Sequence, residues 1–284
     1  MSNQKKPREK KKSHEIEEAL APFLPKEEKI EIPLTVIIPV YNCSEILGQT
    51  LESLESQGYP TLEVILVDAG STDRTLEVAS GFSDLITRIY TVSKENVSDM
   101  LNRGIALASG DYCTFLFPGT FYLSPLTYQT FAQELVSHDF PDLLYCGSLQ
   151  REIRRDVRKI FLPFDLEILQ EGNHPATLPA CWMKGDLFER LGKFDPDYSL
   201  RPEYEFFCRF SLREDLHATS FDRVFVDYDY GRFSYGKILR YAGETWTAIY
   251  TCFGFAKAFR WALTLNPRIL AKSLWRRLKH SLFT

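Results

Sequence analysis

Two short runs rich in β-branched residues, LTVIIPV at 34–40 and LEVILVD at 62–68, enclose a segment in which Ile46, Leu47, Leu51 and Leu54 recur at helical spacing and Gly58 supplies a stop. A run that is apolar at nearly every position has no polar face to turn to water, so both are predicted as strands covered on two sides. A strand, a helix and a strand in that order need a crossover connection, which makes the strands parallel neighbours. The pattern continues downstream. STDRTLEVASGF offers Ser71 and Thr72 as helix-start residues, LITRIYT and YCTFLF read as a third and fourth strand, and VSDMLNRGIALASG between them reads as a helix. The fold class implied is α/β, one domain with a mostly parallel central sheet and helices packed on it. Ligands of such sheets sit at the carboxyl ends of the strands, which directs attention to the residues just after 40, 67 and 117. Beyond residue 120 the pattern loosens into a helical stretch at 124–136, a strand DLLYCGSL and an Arg-rich, hairpin-like REIRRDVRKIF.

The 284 residues are 44% hydrophobic, enough for a substantial core, and the formal net charge of −4 gives no global reason to expect nucleic acid as a partner, local charge being a separate matter. Six scattered cysteines form no close pairs of the zinc or redox type, which fits a reducing cytoplasm. The lysine-rich start is not followed by the apolar core of a signal peptide, and residues 1–30 read as a charged, solvated tail. The longest uncharged stretch near the C-terminus, Thr245 to Phe255, is well short of the roughly 20 apolar residues a membrane-spanning helix needs. Residues 31–236 are expected to form the main domain and 237–284 a helical arm. In that arm Leu270, Leu274, Leu278 and Leu282 share one stripe, while Arg268, Lys272, Arg276 and Lys279 lie mainly elsewhere around the axis. Such a helix either lies on an anionic membrane surface or docks on the protein's own core.

A dinucleotide-binding fold would place G-x-G-x-x-G after the first strand, where this chain reads PVYNCSE. The stretch TVIIPVYNCSEILGQTLESLESQGYPTLEVILVDAGSTDRTLEVA instead resembles the opening of family 2 glycosyltransferases, whose fold is a single nucleotide-binding α/β domain of the glycosyltransferase A type. By that resemblance Asp68, which closes the second strand, bonds the base or ribose of a nucleotide; the other reading is an Asx turn joining strand to helix. Pro39, Tyr41 and Asn42 fall at the family's nucleotide-facing end of the first strand, with the Tyr41 ring placed to pack on a base. Gly70 and Ser71 allow a sharp turn beside the ligand, and Thr72 and Asp73 cap the next helix. In ENVSDMLNRGIALASGDY, Asn102 and Arg103 occupy the place where the family carries an asparagine and a basic residue. Arg103 would meet a diphosphate there, or stand solvated on a helix face.

The resemblance breaks after the fourth strand, where a typical member reads something like GDYIAFLDADD and this chain reads GDYCTFLFPGT. In the family those carboxylates hold Mg²⁺ or Mn²⁺ against the diphosphate. Phe117, Pro118 and Gly119 offer no side-chain oxygen, and Thr120 alone is too weak a ligand, so no ordinary metal site is expected. Farther on, WMKGDLFERLGKFDPDYSLRPEYEFFCRF resembles the acceptor-side segment, with Phe194 and Asp195 matching a phenylalanine-aspartate pair and Arg209 a later arginine. The family's general-base aspartate falls on Glu203, with Glu205 two positions on; the competing reading of Glu203 is a surface carboxylate. In GRFS, Arg232 and Ser234 stand near a double glycine and serine of the family, and Arg232 or Arg103 would replace positive charge lost with the metal.

The resemblance implies transfer of a sugar from a nucleotide donor, with a UDP-sugar favoured, to a glycan or lipid-linked acceptor. Inversion at the sugar carbon, little or no need for a divalent cation, and a cytoplasmic place on the inner face of a membrane complete the expectation. The rival is a non-catalytic relative that serves as a nucleotide-binding or scaffold partner.

Overall fold

The computed structural model describes residues 30–93, 96–151, 157–229 and 237–265. The chain divides into two units between Ile30 and Glu31, and everything below belongs to the second. It opens with β1 (Leu34–Val40), α1 (Ser44–Glu55), β2 (Leu62–Asp68), α2 (Thr75–Ser80), β3 (Arg88–Thr91), α3 (Val97–Leu107) and β4 (Tyr112–Phe115). These strands lie in the order β3-β2-β1-β4, all parallel, with Val40 level with Asp68 and Ile37 level with both Ile65 and Phe115. β1 is buried at all seven positions, as its unbroken apolar run requires.

The second half adds β5 (Phe121–Tyr122), α4 (Thr127–Ser137), β6 (Leu143–Arg151), β7 (Val157–Ile160), α5 (Leu166–Gln170), β8 (Cys181–Lys184), α6 (Leu187–Arg190), α7 (Pro202–Phe210), β9 (Ala218–Asp229), α8 (Ile238–Phe253) and α9 (Phe255–Thr264). It continues the same sheet as β4-β8-β6-β9-β5, with β7 on β6. Here β8 is antiparallel to both β4 and β6, while β6 and β9 run parallel. The hairpin-like stretch is a hairpin: Ser148 pairs with Ile160 and Arg151 with Val157.

Two differences from the sequence pattern have local causes. The third strand shrinks to four residues, all exposed, because it is the sheet's edge and has a partner on one side only. Helix α2 starts at Thr75 rather than at Ser71 or Thr72, because Ser71 donates its amide back to Asp68 and Thr72 donates its own across to Asn42.

Packing is dominated by aromatics. Trp182 stacks on Phe131 at 4.6 Å between centroids and meets Tyr128 edge-on at 5.2 Å. Phe115, Phe188, Phe194 and Phe206 form a second cluster, which joins β4 to the loop before α7. Gly110 shows how closely the layers approach: a Cβ there would lie 2.6 Å from the Thr35 backbone nitrogen. Backbone cannot withdraw as a side chain can, so Gly110→Ala is expected to cost about 2–3 kcal/mol. Thermal unfolding would register this as a drop of several degrees.

Candidate functional site

The loops after β1 and β2 are tied to one another by side chains that close on backbone amides. Asn42, at φ +44°, accepts from the amide of Thr72 at 2.8 Å and donates its own amide to Ser71 Oγ at 3.0 Å. Cys43 N donates to Thr75 Oγ1 at 2.8 Å, and Ser44 N to Asp73 Oδ2 at 3.1 Å. The Thr75 hydroxyl, which donates to Asp73, holds that carboxyl well below the usual carboxylate range, and the Ser44 and Thr75 amides add to the effect. Asp68 is 1% exposed, and its carboxylate accepts from Gly70 N at 3.2 Å and Ser71 N at 3.1 Å. This is the Asx-turn geometry weighed in the sequence. It leaves lone pairs on the same oxygens, since a carboxylate accepts about four hydrogen bonds. Tyr41, by contrast, is 57% exposed.

The turn after β4 differs in kind from a cation site. Thr120 N donates to Phe117 O at 2.9 Å, Gly119 takes φ +88° with its amide on Thr50 Oγ1, and Thr120 is buried. The Phe117 ring sits 6.3 Å from that of Tyr228. A hard divalent cation needs several oxygen ligands, and this turn presents a phenyl ring, a proline and a glycine. The residues present do not fit the metal. Among the described residues no group of three or more His, Cys, Asp or Glu could hold one elsewhere.

A cleft of about 920 Å³ opens where the two halves of the sheet meet. One wall comes from the ends of β1 and β4, with Pro39, Tyr41, Phe117 and Pro118. His174, Arg201 and Glu203 line the same cleft. Glu203 stands in the first turn of α7, half-buried, with its carboxyl pushed up to about 7. Burial is the main cause; Glu244 adds like charge, while Arg201 pulls in the opposite direction. His174 is held neutral, down to about 4, by burial and by the Arg201 charge. Its Nδ1–H donates to Ala176 O at 2.7 Å, which leaves Nε2 as the lone-pair nitrogen. The loop into α7 is fixed by α8: its buried Glu244 accepts from the amides of Ser199, Leu200 and Arg201 at 2.8–3.1 Å.

Of the residues singled out in the sequence, Pro39, Tyr41 and Glu203 meet in the cleft. Asn42, Asp68, Gly70 and Ser71 form the adjoining tied loops. The rest are placed differently. Glu205 is gripped by Arg209 through both carboxylate oxygens, at 2.6 and 2.9 Å, so it holds no position to act as a base. Arg209 also donates to the carbonyls of Leu191 and Lys193, and its work is to clamp that loop to α7. Asn102 exchanges two hydrogen bonds with the backbone of Phe194, which occupies both ends of its amide. Asp195 accepts from the amide of Asp197 within a turn, and Arg103 is exposed outside the cleft lining. Arg232 and Ser234 lie outside the described residues, as does the leucine stripe of 270–282. The sequence reading missed Arg201, His174 and Glu244. The only local hint was an arginine beside Pro202 at the start of a helix that carries the candidate base.

Known proteins resemble this chain in sequence and in fold. The family described as Glycosyl transferase family 2 matches residues 35–116. Glycosyltransferase GlyA of Streptococcus pneumoniae is 37% identical over 89 residues, which is 31% of this chain and 13% of that protein. A PGL/p-HBAD biosynthesis glycosyltransferase of Mycobacterium bovis is 28% identical over 178 residues, covering 62% of this chain and 68% of its own length. Among solved structures, S. aureus TarS 1-349 in complex with UDP-GlcNAc superposes with a TM-score of 0.61 at 17% identity, over 86% of this chain and 72% of that one. The mannosyltransferase PcManGT from Pyrobaculum calidifontis, in complex with GDP-Man and Mn²⁺, gives 0.56 at 16% identity, over 89% and 81%. These two likenesses concern the fold, which is the glycosyltransferase A type. The match to glycosyl transferase family 2 thus covers the parallel half of the sheet at 35–116, and just beyond it phenylalanine, proline and glycine stand at 117–119, where the family resemblance leads one to expect metal-binding carboxylates.

Proposed function

We propose that this chain is an inverting glycosyltransferase that moves a sugar from a nucleotide-sugar donor, a UDP-sugar first, to a glycan or lipid-linked acceptor without a tightly bound divalent cation. The observation that carries the reading is Glu203, a carboxyl raised to about 7 that lines the same cleft as the ends of β1 and β4. In a single displacement the acceptor hydroxyl attacks the sugar carbon, its proton passes to Glu203, and the bond to the donor phosphate breaks with the electron pair leaving on phosphate oxygen. A base near neutrality serves this best, being about half ionised near pH 7 yet basic enough to take a proton. The relatives' complexes with UDP-GlcNAc and GDP-Man support a nucleotide-sugar donor for this cleft. The absence of carboxylates at 117–120 supports cation independence. Calorimetric titration of UDP is expected to give the same affinity in EDTA as in Mn²⁺; a strong gain with Mn²⁺ would defeat this part. If neither UDP nor GDP binds, the chain is instead a scaffold that has the fold alone.

Contact with a membrane surface is supported by α9. Ala258 and Trp261 pack inward, while Phe255, Phe259 and Leu263, one turn apart, are exposed at 62%, 50% and 72% beside Lys257 and Arg260. Among the described residues no helix is long and apolar enough to cross a membrane. An apolar stripe with basic flanks suits the interface of an anionic bilayer. Replacing the three apolar residues by serine is expected to abolish co-sedimentation with phosphatidylglycerol vesicles while the cleft still binds UDP. Equal sedimentation of both proteins would remove the membrane reading.

A further inference from the structure

Arg201 is the most unusual side chain of the cleft. It is 1% exposed yet lines the cavity, and it lies 3.9 Å from the ring centre of Tyr204 and 4.5 Å from that of Tyr241. Its Nη1 donates to Gly172 O and to Thr245 Oγ1, both at 2.8 Å. Its Nε and Nη2 are buried and have no hydrogen-bond partner among the described residues. Aromatic faces offset part of a guanidinium's charge, but they give its in-plane N–H groups nothing to donate to. Buried donors of a charged group are rarely left in this state, and each such case asks for a missing acceptor.

The two orphaned nitrogens are not a random pair. Nε and Nη2 form one edge of the guanidinium fork. With that same edge Arg209 grips the carboxylate of Glu205, and Arg213 grips that of Asp215 at 2.8 and 2.9 Å. The edge matches two oxygens of a carboxylate or phosphate side by side. The cleft around it is cationic: Arg158, Lys159 and Lys237 also line it, with Lys159 paired to Asp222, and Glu203 is the one carboxylate among the described lining residues. Arg201 and Glu203 line the same cleft, and the Arg201 charge acts on the Glu203 carboxyl.

We infer that the Nε/Nη2 edge of Arg201 is a phosphate subsite of the cleft. The inference rests on the proposed donor reading only in part, because a phosphate has two sources here. It belongs either to the nucleoside diphosphate of the donor, whose charge no metal ligand at 117–120 offsets, or to an anionic acceptor.

The test titrates UDP and uridine, and separately glycerol 3-phosphate into UDP-containing protein, comparing wild type with Arg201→Gln and Arg201→Lys. Loss of a bidentate, charge-assisted contact is expected to weaken the bound phosphate about 30- to 100-fold in Arg201→Gln, with partial retention in Arg201→Lys. If UDP weakens and uridine does not, the source is the donor. If UDP is unchanged and glycerol 3-phosphate weakens, the source is the acceptor. Unchanged affinity for both in folded variants overturns the inference. Wild-type protein that binds no UDP defeats the donor reading, and the glycerol 3-phosphate arm then judges Arg201 alone; binding of neither probe overturns both. Should both variants fail to fold, a wild-type crystal with UDP or glycerol 3-phosphate decides. Phosphate oxygens on Nε and Nη2 sustain the subsite, and a bound phosphate placed elsewhere ends it.

Discussion

Glu203→Gln is expected to lower the transfer rate about a thousandfold, within the range a positioned general base supplies, and to leave UDP affinity unchanged. The amide keeps the shape of the side chain and loses the ability to take a proton. The pH profile supplies a second reading of the same group. A base must be ionised, so the wild-type rate should rise with pH and level off above about 7, where the Glu203 carboxyl titrates. A rate that is flat between pH 5 and 8 would exclude it. Stability moves the opposite way. The folded-state value lies above that of an exposed glutamate, so the protonated form is the one the fold favours, and its contribution is complete below about 4.5 and lost as pH rises through about 7. At pH 8 the glutamine variant should therefore be more stable than wild type, by about 2 kcal/mol after allowance for the half-exposed position. A variant that is both inactive and more stable distinguishes a functional carboxyl from a structural one.

The largest loss of stability is expected at Glu244. Its two buried oxygens accept from three consecutive backbone amides, from Ser199 Oγ and from the exposed Arg240 through Nε at 3.0 Å. Glu244→Ala leaves those donors without acceptors and should cost about 3–5 kcal/mol. For a domain of this size that is a fall in Tm of about 10 °C or more. Glu244→Gln is not a rescue, because both oxygens face N–H donors and the amide must turn its own NH₂ toward one set. Transfer should fall with either variant even at temperatures where the protein stays folded, because the loop that leads into Glu203 is released. Full activity in folded Glu244→Gln protein would show that the loop is held by other contacts.

How far the sequence could be read follows from the reach of the interactions. β1, α1 and β2 were legible because burial on both faces and helical spacing are written into consecutive residues. The edge position of β3 was not, since LITRIYT carries the composition of a strand whether or not a neighbour covers it. Around the cleft, Glu203 could be found through its resemblance to the family segment. Its environment could not. Arg201 meets Gly172 and Thr245 from 29 and 44 positions away, and Glu244 reaches back 43 to the Arg201 amide. Asn102 and Arg209 matched the family's polar positions, but nothing local indicated that Phe194 and the 191–193 carbonyls would occupy them.

The hydrogen bonds of Glu244 also bear on how the gene can be cut. Sequence pattern places a boundary near residue 236, and a fragment ending there would hold every strand of the sheet and Glu203 itself. It would lack the acceptor for the amides of 199–201 and the Thr245 hydroxyl that steadies Arg201. Such a truncation should fold around its aromatic core yet present a loosened base, so the smallest autonomous catalytic piece extends at least through α8.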